Sequence, residues 1–495
     1  MIKKDPNAVK SYLEDSSNLK GGHAEEVVFP SSTEELSDFL KEANSEKRPV
    51  TISGGGTGTT GSRIAFGGAV VSMERFNRIL DVSDEEMSCA VGSGVLVDDL
   101  KRACEAKELF YASHPTERTA FVGGTVATNA SGARSFKYGS TRRYVRRLKM
   151  VLADGEIFEI RRGQTVLTHS NPKFRLAGGR EICVPIPAYK MPAVKNSAGY
   201  FAKDGMDLID LFIGQEGTLS VITEIELGLV RGPSRILGSF VFFEREPDAW
   251  GFAEEARRLS KDMRTPAGSG LDALSIEYFD ANALNILRPL NPNVPRGMNA
   301  AIFFEQEVSR DNEDMLLEKW LALIVKHRSS PENTWVAMNE KEAGLFTDLR
   351  HHIPEAINDM VRQRGFQKLS TDIAVPDGKF SDMIAFYTRT FKKIGVEHVV
   401  FGHIGECHVH TNLLPKNTEE LERSRETVLS FVKKGVLLGG TVSAEHGIGK
   451  TRHKYLEFMY GKGGILQMAS IKKVLDPNCI LGLDNIFPRE LLITV

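Results

Sequence analysis

The chain has 495 residues, with 63 lysines and arginines against 65 aspartates and glutamates, for a formal net charge of −2. Its length predicts roughly two to four domains, and the balanced charge gives no electrostatic reason to bind nucleic acid or anionic membranes, leaving a small soluble substrate as the default. Five cysteines, an odd number without CxxC spacing, argue against a disulfide framework, a zinc ribbon or an iron–sulfur cluster and point to a reducing compartment.

Taken in chain order, Ser32-Thr33-Glu34-Glu35 reads as a capping box, and Leu36, Phe39, Leu40 and Ala43 continue it at helical spacing. A short strand at 49–52 then opens into Ser53-Gly54-Gly55-Gly56-Thr57-Gly58-Thr59-Thr60-Gly61, where five glycines in nine residues let backbone N–H groups turn toward one anion. The loop reads as a pyrophosphate cradle. It is not a P-loop, because no lysine lies between Lys47 and Lys101, and it is not a Rossmann turn, because Ala69-Val70-Val71 reads as another strand where a helix is needed. A helix is predicted over 97–104. A second cluster follows, with His114-Pro115-Thr116-Glu117 ahead of Gly123-Gly124-Thr125-Val126-Ala127-Thr128-Asn129-Ala130-Ser131-Gly132. So long a run of small residues implies that something large lies against the backbone. The basic run 142–149 reads as a solvated face, the alternative being a dock for an acidic electron carrier. A third glycine segment, at 213–223, ends in a β-branched strand.

Near residues 230–234 the texture shifts, and a domain boundary is placed there. Beyond it a strand is predicted at 239–243. Phe380, Met383, Ile384, Tyr387 and Phe391 form a core-facing helical stripe, followed by a strand at 396–401 and a helix over 418–434. A last helix after Tyr455 runs through Leu466, Met468, Ile471 and Val474. Between these elements Gly402-His403-Ile404-Gly405-Glu406-Cys407-His408-Val409-His410-Thr411-Asn412 puts three histidines in eight positions, a density that suggests a divalent metal. On a regular strand His408 and His410 would share a face and His403 would oppose His410. Further on, Ser443-Ala444-Glu445-His446-Gly447 places a carboxylate beside an imidazole.

The three glycine segments, the histidine cluster and the Ser-Ala-Glu-His-Gly segment, in this order from about Val27 to Phe487, resemble the D-2-hydroxyacid dehydrogenase branch of the vanillyl-alcohol oxidase and para-cresol methylhydroxylase flavoproteins. The resemblance implies an α+β fold: a two-subdomain FAD-binding domain at 1–230, an inserted α+β substrate domain at 231–452, and a C-terminal helical segment, 453–495, returning to the FAD domain. It implies FAD contacts from Ser53, Gly54, Gly55, Gly56, Thr57, Gly58 and Gly61, from His114, Pro115, Thr116, Gly123, Gly124, Ala127, Thr128, Asn129, Ser131 and Gly132, and from Glu216, Gly217, Val221, Ile222 and Asn485. Ser53 stands where the family often has arginine. With no histidine in the first loop, His114 is the remaining candidate for covalent attachment, and the FAD is read as noncovalent.

The family motif Gly-His-x-Gly-Asp-Gly-Asn-x-His-x-Asn maps its metal histidines onto His403 and His410, with Gly405 expected to allow the bend that reunites them. Glu406, Cys407 and His408 depart from it, which leaves His408 or Cys407 open as substitute ligands. The resemblance makes Glu445 the third ligand of a metal expected to be zinc, and His446 the base. It also makes Arg350, expected at a helix start, the anchor for a substrate carboxylate, and Asn412 a substrate contact. This assignment suits the oxidation of a 2-hydroxy acid, in which a metal lowers the hydroxyl pKa and a neutral imidazole accepts the proton while hydride leaves Cα. Ser370 replaces a lysine of the D-2-hydroxyglutarate members two positions before Asp372, with Lys368 nearby.

The expected function is FAD-dependent oxidation of a D-2-hydroxy acid of the D-lactate, glycolate or D-2-hydroxyglutarate class. Electrons would pass to a separate acceptor: an electron-transfer flavoprotein, an iron–sulfur subunit or a quinone. Two alternatives are a transferase resembling alkylglycerone-phosphate synthase, whose histidine triplet Ala444-Glu445-His446 lacks, and a flavin-free metal-binding protein. With no stretch near the roughly 18 apolar residues of a spanning helix and no signal or transit character at the start, a cytoplasmic protein is expected, with homo-oligomerisation open.

Overall fold

The computed structural model describes residues 1–113, 115–264 and 270–494. The chain forms two compact units, one of residues 1–132, 139–232 and 443–495 and the other of residues 133–138 and 233–442.

The first unit contains two principal sheets. In one, Glu26–Val28, Ala69–Ser72 and Val50–Ser53 run parallel, with Ile2–Lys3 antiparallel at the edge. The helix Thr33–Ser45 packs Leu36, Leu40 and Ala43 against Val50, Val71, Ile480 and Leu481. Its cap is as predicted on one side, Ser32 Oγ accepting from Glu35 N at 3.1 Å, while the Glu35 carboxylate reaches back to Ser31 N and Oγ. The other sheet is antiparallel, in the order Ile79–Ser83, Ser88–Gly92, Val221–Gly228, Val145–Val151, Ile157–Arg161. The basic run lies mostly on its Val145–Val151 strand, where Arg147 faces Glu159, Glu224 and Glu226 and Lys149 faces Glu224, while Arg143 is exposed.

The C-terminal helix His453–Leu475 belongs to this unit and is broken at Gly461, whose φ is +67°. Met468 and Ile471 are buried, whereas Val474 faces out. Its buried Lys472 donates to Thr218 O and Leu481 O, both at 2.7 Å, and pairs with Asp476, whose carboxylate in turn accepts from Ile480 N and Leu481 N. Ile480 O then accepts from Val50 N at 2.7 Å, so the chain end is stitched to the strand that leads into the first glycine loop.

The second unit is one seven-stranded antiparallel sheet in the order Thr334–Val336, Arg235–Phe243, Ala300–Val308, Ala273–Asp280, His398–Gly402, His410–Leu413, Leu369–Ser370. Phe240, Phe242, Phe279 and Phe303 form its core with Leu349, Ile353 and Ile357 of the long helix Glu340–Arg364. The predicted stripe forms the helix Phe380–Ile394, with Phe380, Met383, Ile384 and Tyr387 buried, and Thr418–Leu437 is the next helix. Residues 133–138 join this unit because Arg134 makes a two-pronged ion pair with Glu305, Lys137 bridges Asp272 and Glu307, and Ser135 Oγ donates to Glu406.

Candidate active site

In the first unit, the strand Val50–Ser53 delivers the chain into the loop that ends at Gly61. A Cβ on Gly55 would sit 2.7 Å from Thr119 O, and on Gly58 it would meet nothing within 4 Å, so this backbone both packs closely and faces open space. The second segment holds a short helix, Val122–Ala127, in which Gly123 abuts Ser93 while Gly124 again faces open space. These bare backbone surfaces, one after a strand and one in the first turn of a helix, fit a phosphate-bearing cofactor, since unblocked N–H groups are what such an anion needs. His114 lies outside the described residues.

Residues of these segments spend their polar groups on the protein, Glu216, Asn485 and Asn129 among those expected at the cofactor. Gln215 seals the third segment by accepting from Leu219 N and Ser220 N and donating to Ser220. Glu216 is buried, and its carboxylate takes Ile448 N and Gly449 N at 2.8 and 2.7 Å together with Ser62 Oγ; burial pushes its pKa up despite these donors. Asn485 donates to Ser62 O and Glu216 O and accepts from Lys450. Asn129, at φ +50°, bridges Arg142 N and Asn196 O. Their hold is on loop shape.

Glu216 also explains why residues 443–452, counted with the inserted region from sequence, sit in the first unit. Its two oxygens grip that segment's backbone, and Ser197 bonds Ser443 O through N and Ala444 O through Oγ. Gly447, at φ +76°, makes the turn after the Glu-His pair, and a Cβ there would lie 2.8 Å from the Glu216 carboxylate. Glu445 is held by Lys195, a 2.6 Å ion pair with both side chains nearly buried, and His446 Nε2 lies 3.6 Å from Glu445 Oε1. Lys195 had no signal in the sequence, being one lysine in a loop 250 residues away.

In the second unit, the strand His398–Gly402 ends at a glycine with φ +115°, Ile404–Glu406 form a single 3₁₀ turn, Cys407 takes φ +53°, and a strand resumes at His410. Gly402 and Cys407 therefore make the reversal expected of Gly405. Gly405 is needed for space: a Cβ there would come within 3.1 Å of Phe136 Cγ and 3.2 Å of Ile276 Cβ. Because the reversal pairs Phe401 with His410, His403 returns to the side of His410, and all three imidazoles gather. Ring centroids are 5.5 Å apart for His403 and His410, 5.3 Å for His403 and His408, and 4.5 Å for His408 and His410.

Each ring has one nitrogen close to an oxygen, through a hydrogen bond for His403 and His410 and at ion-pair distance for His408. His403 Nδ1 lies 2.7 Å from Glu277 Oε1, His410 Nδ1 3.2 Å from Thr371 O, and His408 Nε2 3.0 Å from Asp372 Oδ1. Tyr278 pairs with Gly402 in the ladder, which sets Glu277 beside His403. Such partners orient metal-binding histidines and fix their tautomers, so the donor set fits a transition metal suited to imidazole. Sequence spacing missed Glu277, since a cross-strand neighbour leaves no local pattern.

Cys407 turns away from the rings, its Sγ lying 3.3 Å from Asp377 Oδ1, and burial pushes its thiol up to about 12. Asn412 is buried between Val399 and Ser370, and its Nδ2 has no hydrogen-bond partner among the described residues. Arg350 lies well inside the helix Glu340–Arg364 rather than at its start, because the helix is already capped at Asn339, whose side chain accepts from Glu342 N. Burial would raise the pKa of Glu305, but Arg134 and, behind it, Arg350 hold it at about 2. Lys368 donates to Asn358 Oδ1 at 2.9 Å.

Two domain families match the chain, an FAD-binding domain over residues 24–161 and the C-terminal domain of FAD-linked oxidases over residues 249–483. The chain is an FAD-linked oxidoreductase. It belongs to the FAD-linked D-2-hydroxyacid dehydrogenase branch of the vanillyl-alcohol oxidase and para-cresol methylhydroxylase superfamily. It is 30% identical over 467 residues to a D-lactate dehydrogenase of Archaeoglobus fulgidus, covering 92% of this chain and 89% of that one. Glycolate oxidase subunit GlcD of Bacillus subtilis is 28% identical, over 94% of this chain and 89% of the relative, and a D-2-hydroxyglutarate dehydrogenase of Stutzerimonas stutzeri is 26% identical, over 98% and 95%. The fold is shared with 4-ethylphenol oxidase from Gulosibacter chungangensis, at TM-score 0.69 and 16% identity over 99% of this chain and 95% of that one. It is also shared with an alkyldihydroxyacetonephosphate synthase at TM-score 0.67, 16% identity, 99% and 82%. No helix among the described residues is long and apolar enough to cross a membrane.

Proposed function

We propose that the chain oxidises a D-2-hydroxy acid of the D-lactate, glycolate or D-2-hydroxyglutarate class to the 2-oxo acid. The observation that carries this reading is the gathering of His403, His408 and His410 with each ring oriented by an oxygen, in a chain whose full-length relatives bear the names of 2-hydroxyacid dehydrogenases and a glycolate oxidase subunit. When bound, noncovalent FAD supplies the hydride acceptor and a divalent metal, zinc in this reading, the positive charge that acidifies the substrate hydroxyl.

The residues divide the remaining work. His446 takes the hydroxyl proton, and Gly447 lets it follow Glu445 without strain, so a ligand and a base occupy adjacent positions. Arg350 receives the substrate carboxylate through its planar fork. Asn412 Nδ2, a buried donor without a hydrogen-bond partner among the described residues, is suited to a substrate oxygen. His403, His410 and Glu445 are the ligands the motif assigns. Nothing takes the place of the second-carboxylate lysine except Lys368, which already bonds Asn358, so D-lactate or glycolate suits the chain better than D-2-hydroxyglutarate. The electrons leave to a separate acceptor, an electron-transfer flavoprotein, an iron–sulfur subunit or a quinone.

Anaerobic mixing of the purified yellow protein with a panel of D- and L-2-hydroxy acids tests the reading. Bleaching by at least one short D-acid, or by glycolate, and none by the L-acids is expected. A flavin that no member of the panel reduces would refute it.

A further inference from the structure

The second unit holds one more imidazole than the motif requires. His408 stands where the resembled motif has asparagine, its side chain is fully buried, and it faces an equally buried Asp372. We propose that His408 is itself a metal ligand, so that His403, His408 and His410 hold the ion through three nitrogens, with Asp372, Glu277 and the Thr371 carbonyl fixing the rings. The proposal rests on the metal-dependent reading above and adds His408 to its ligands.

The geometry fits. One ligand nitrogen from each of the three rings lies within 4.8 Å of the others. Two imidazoles on one tetrahedral zinc, with Zn–N of about 2.1 Å, place their nitrogens roughly 3.4 Å apart, so a side-chain adjustment of the order of 1 Å closes the cage. The tautomers of two rings fit as well: a ring whose Nδ1 donates to Glu277 or to Thr371 O carries its lone pair on Nε2, while His408 Nε2 lies within ion-pair distance of Asp372, at 3.0 Å. An imidazole that merely filled the core would need neither two ring neighbours at 4.5 and 5.3 Å nor a fully buried carboxylate behind it.

Two further observations support this choice. Cys407, the other departure able to ligate, is committed to Asp377, its Sγ donating to Oδ1 at 3.3 Å. His408, unlike Cys407, has both a fully buried side chain and ring neighbours at 4.5 and 5.3 Å.

The test uses the full-length flavoprotein, stripped of metal with chelator and titrated with cobalt(II). Wild type should take up one cobalt per chain with the strong visible absorption of a low-coordinate site. His408→Asn should weaken cobalt affinity more than the roughly 10- to 100-fold expected on losing an outer partner of a ligand, with flavin content unchanged, matching His403→Asn. His408→Cys should restore binding and add a sulfur-to-cobalt charge-transfer band that wild type lacks. Wild-type affinity and spectrum in His408→Asn, or no new band in His408→Cys, would overturn the proposal. If His403→Asn and His410→Asn alone lose the ion, the assignment of His408 fails while the metal-dependent reading stands; if wild type takes up no cobalt, both fail.

Discussion

Gly405→Ala separates two explanations of a glycine in the histidine turn. If Gly405 supplied the bend, as its place in the motif suggests, alanine would strain the backbone; but the left-handed residues here are Gly402 and Cys407, and Gly405 is not among the positive-φ positions. The cost comes from space. The new Cβ would lie 3.1 and 3.2 Å from Phe136 Cγ and Cδ2 and 3.2 Å from Ile276 Cβ. Neither neighbour yields easily, since Ile276 is buried in a central strand and the Phe136 ring lies under the Arg264 guanidinium, itself fixed by Asp272 and two carbonyls. Overpacking of this kind costs about 1–3 kcal/mol, and the reduced freedom of the unfolded chain returns about 0.4–1 kcal/mol. A net loss of about 1–2 kcal/mol is expected in urea unfolding at fixed flavin and metal concentration. Phe136→Leu should relieve the contact, so the double mutant should be about 1 kcal/mol better than the sum of the single changes. Additive behaviour, or an alanine variant as stable as wild type, would refute the packing argument.

Glu277→Gln keeps the shape but weakens the hold on His403, so zinc affinity should fall about 10- to 100-fold in a competition titration while flavin occupancy is unchanged. His446→Ala should abolish flavin reduction by substrate with FAD still bound, measured by anaerobic absorbance; reduction at the wild-type rate would remove His446 from its role. Asp280 is fully buried, and burial pushes its pKa up to about 7 although Ala283 N and Val400 N donate to it. The unfolded chain loses this proton near the ordinary aspartate value and the folded chain holds it longer. Its contribution to stability therefore declines as pH rises from about 4 to about 7, by at most roughly 1.4 kcal/mol per pH unit. Asp280→Asn should flatten that slope in unfolding experiments across the window, and an unchanged slope would refute the assignment.

The elements that follow a local period were legible in the sequence. Leu36, Leu40 and Ala43, and Phe380, Met383, Ile384 and Tyr387, pack as their spacing foretold, because a helix face depends only on residues three or four apart. What escaped the sequence depends on residues distant in the chain. Glu277 meets His403 through a strand ladder, Lys195 meets Glu445 across 250 positions, and residues 133–138 join the second unit through ion pairs to Glu305, Glu307 and Asp272. Strand periodicity alone paired His408 with His410 and the motif paired His403 with His410. The break at Gly402 and Cys407 brings in all three, which neither rule foresaw. The resemblance put Arg350 at a helix start, yet one helix runs from Glu340 to Arg364, its face of Leu349, Ile353 and Ile357 packed into the core on both sides of Pro354.

The most direct test of the central claim is an isotope effect. Whichever acid of the panel bleaches the flavin fastest would be mixed anaerobically with the protein, once with hydrogen and once with deuterium at C2. Severalfold slower bleaching with deuterium is expected if hydride leaves Cα for the flavin. Equal rates whose limiting value falls with the His446→Ala change, or a protein that carries no flavin at all, would contradict the account.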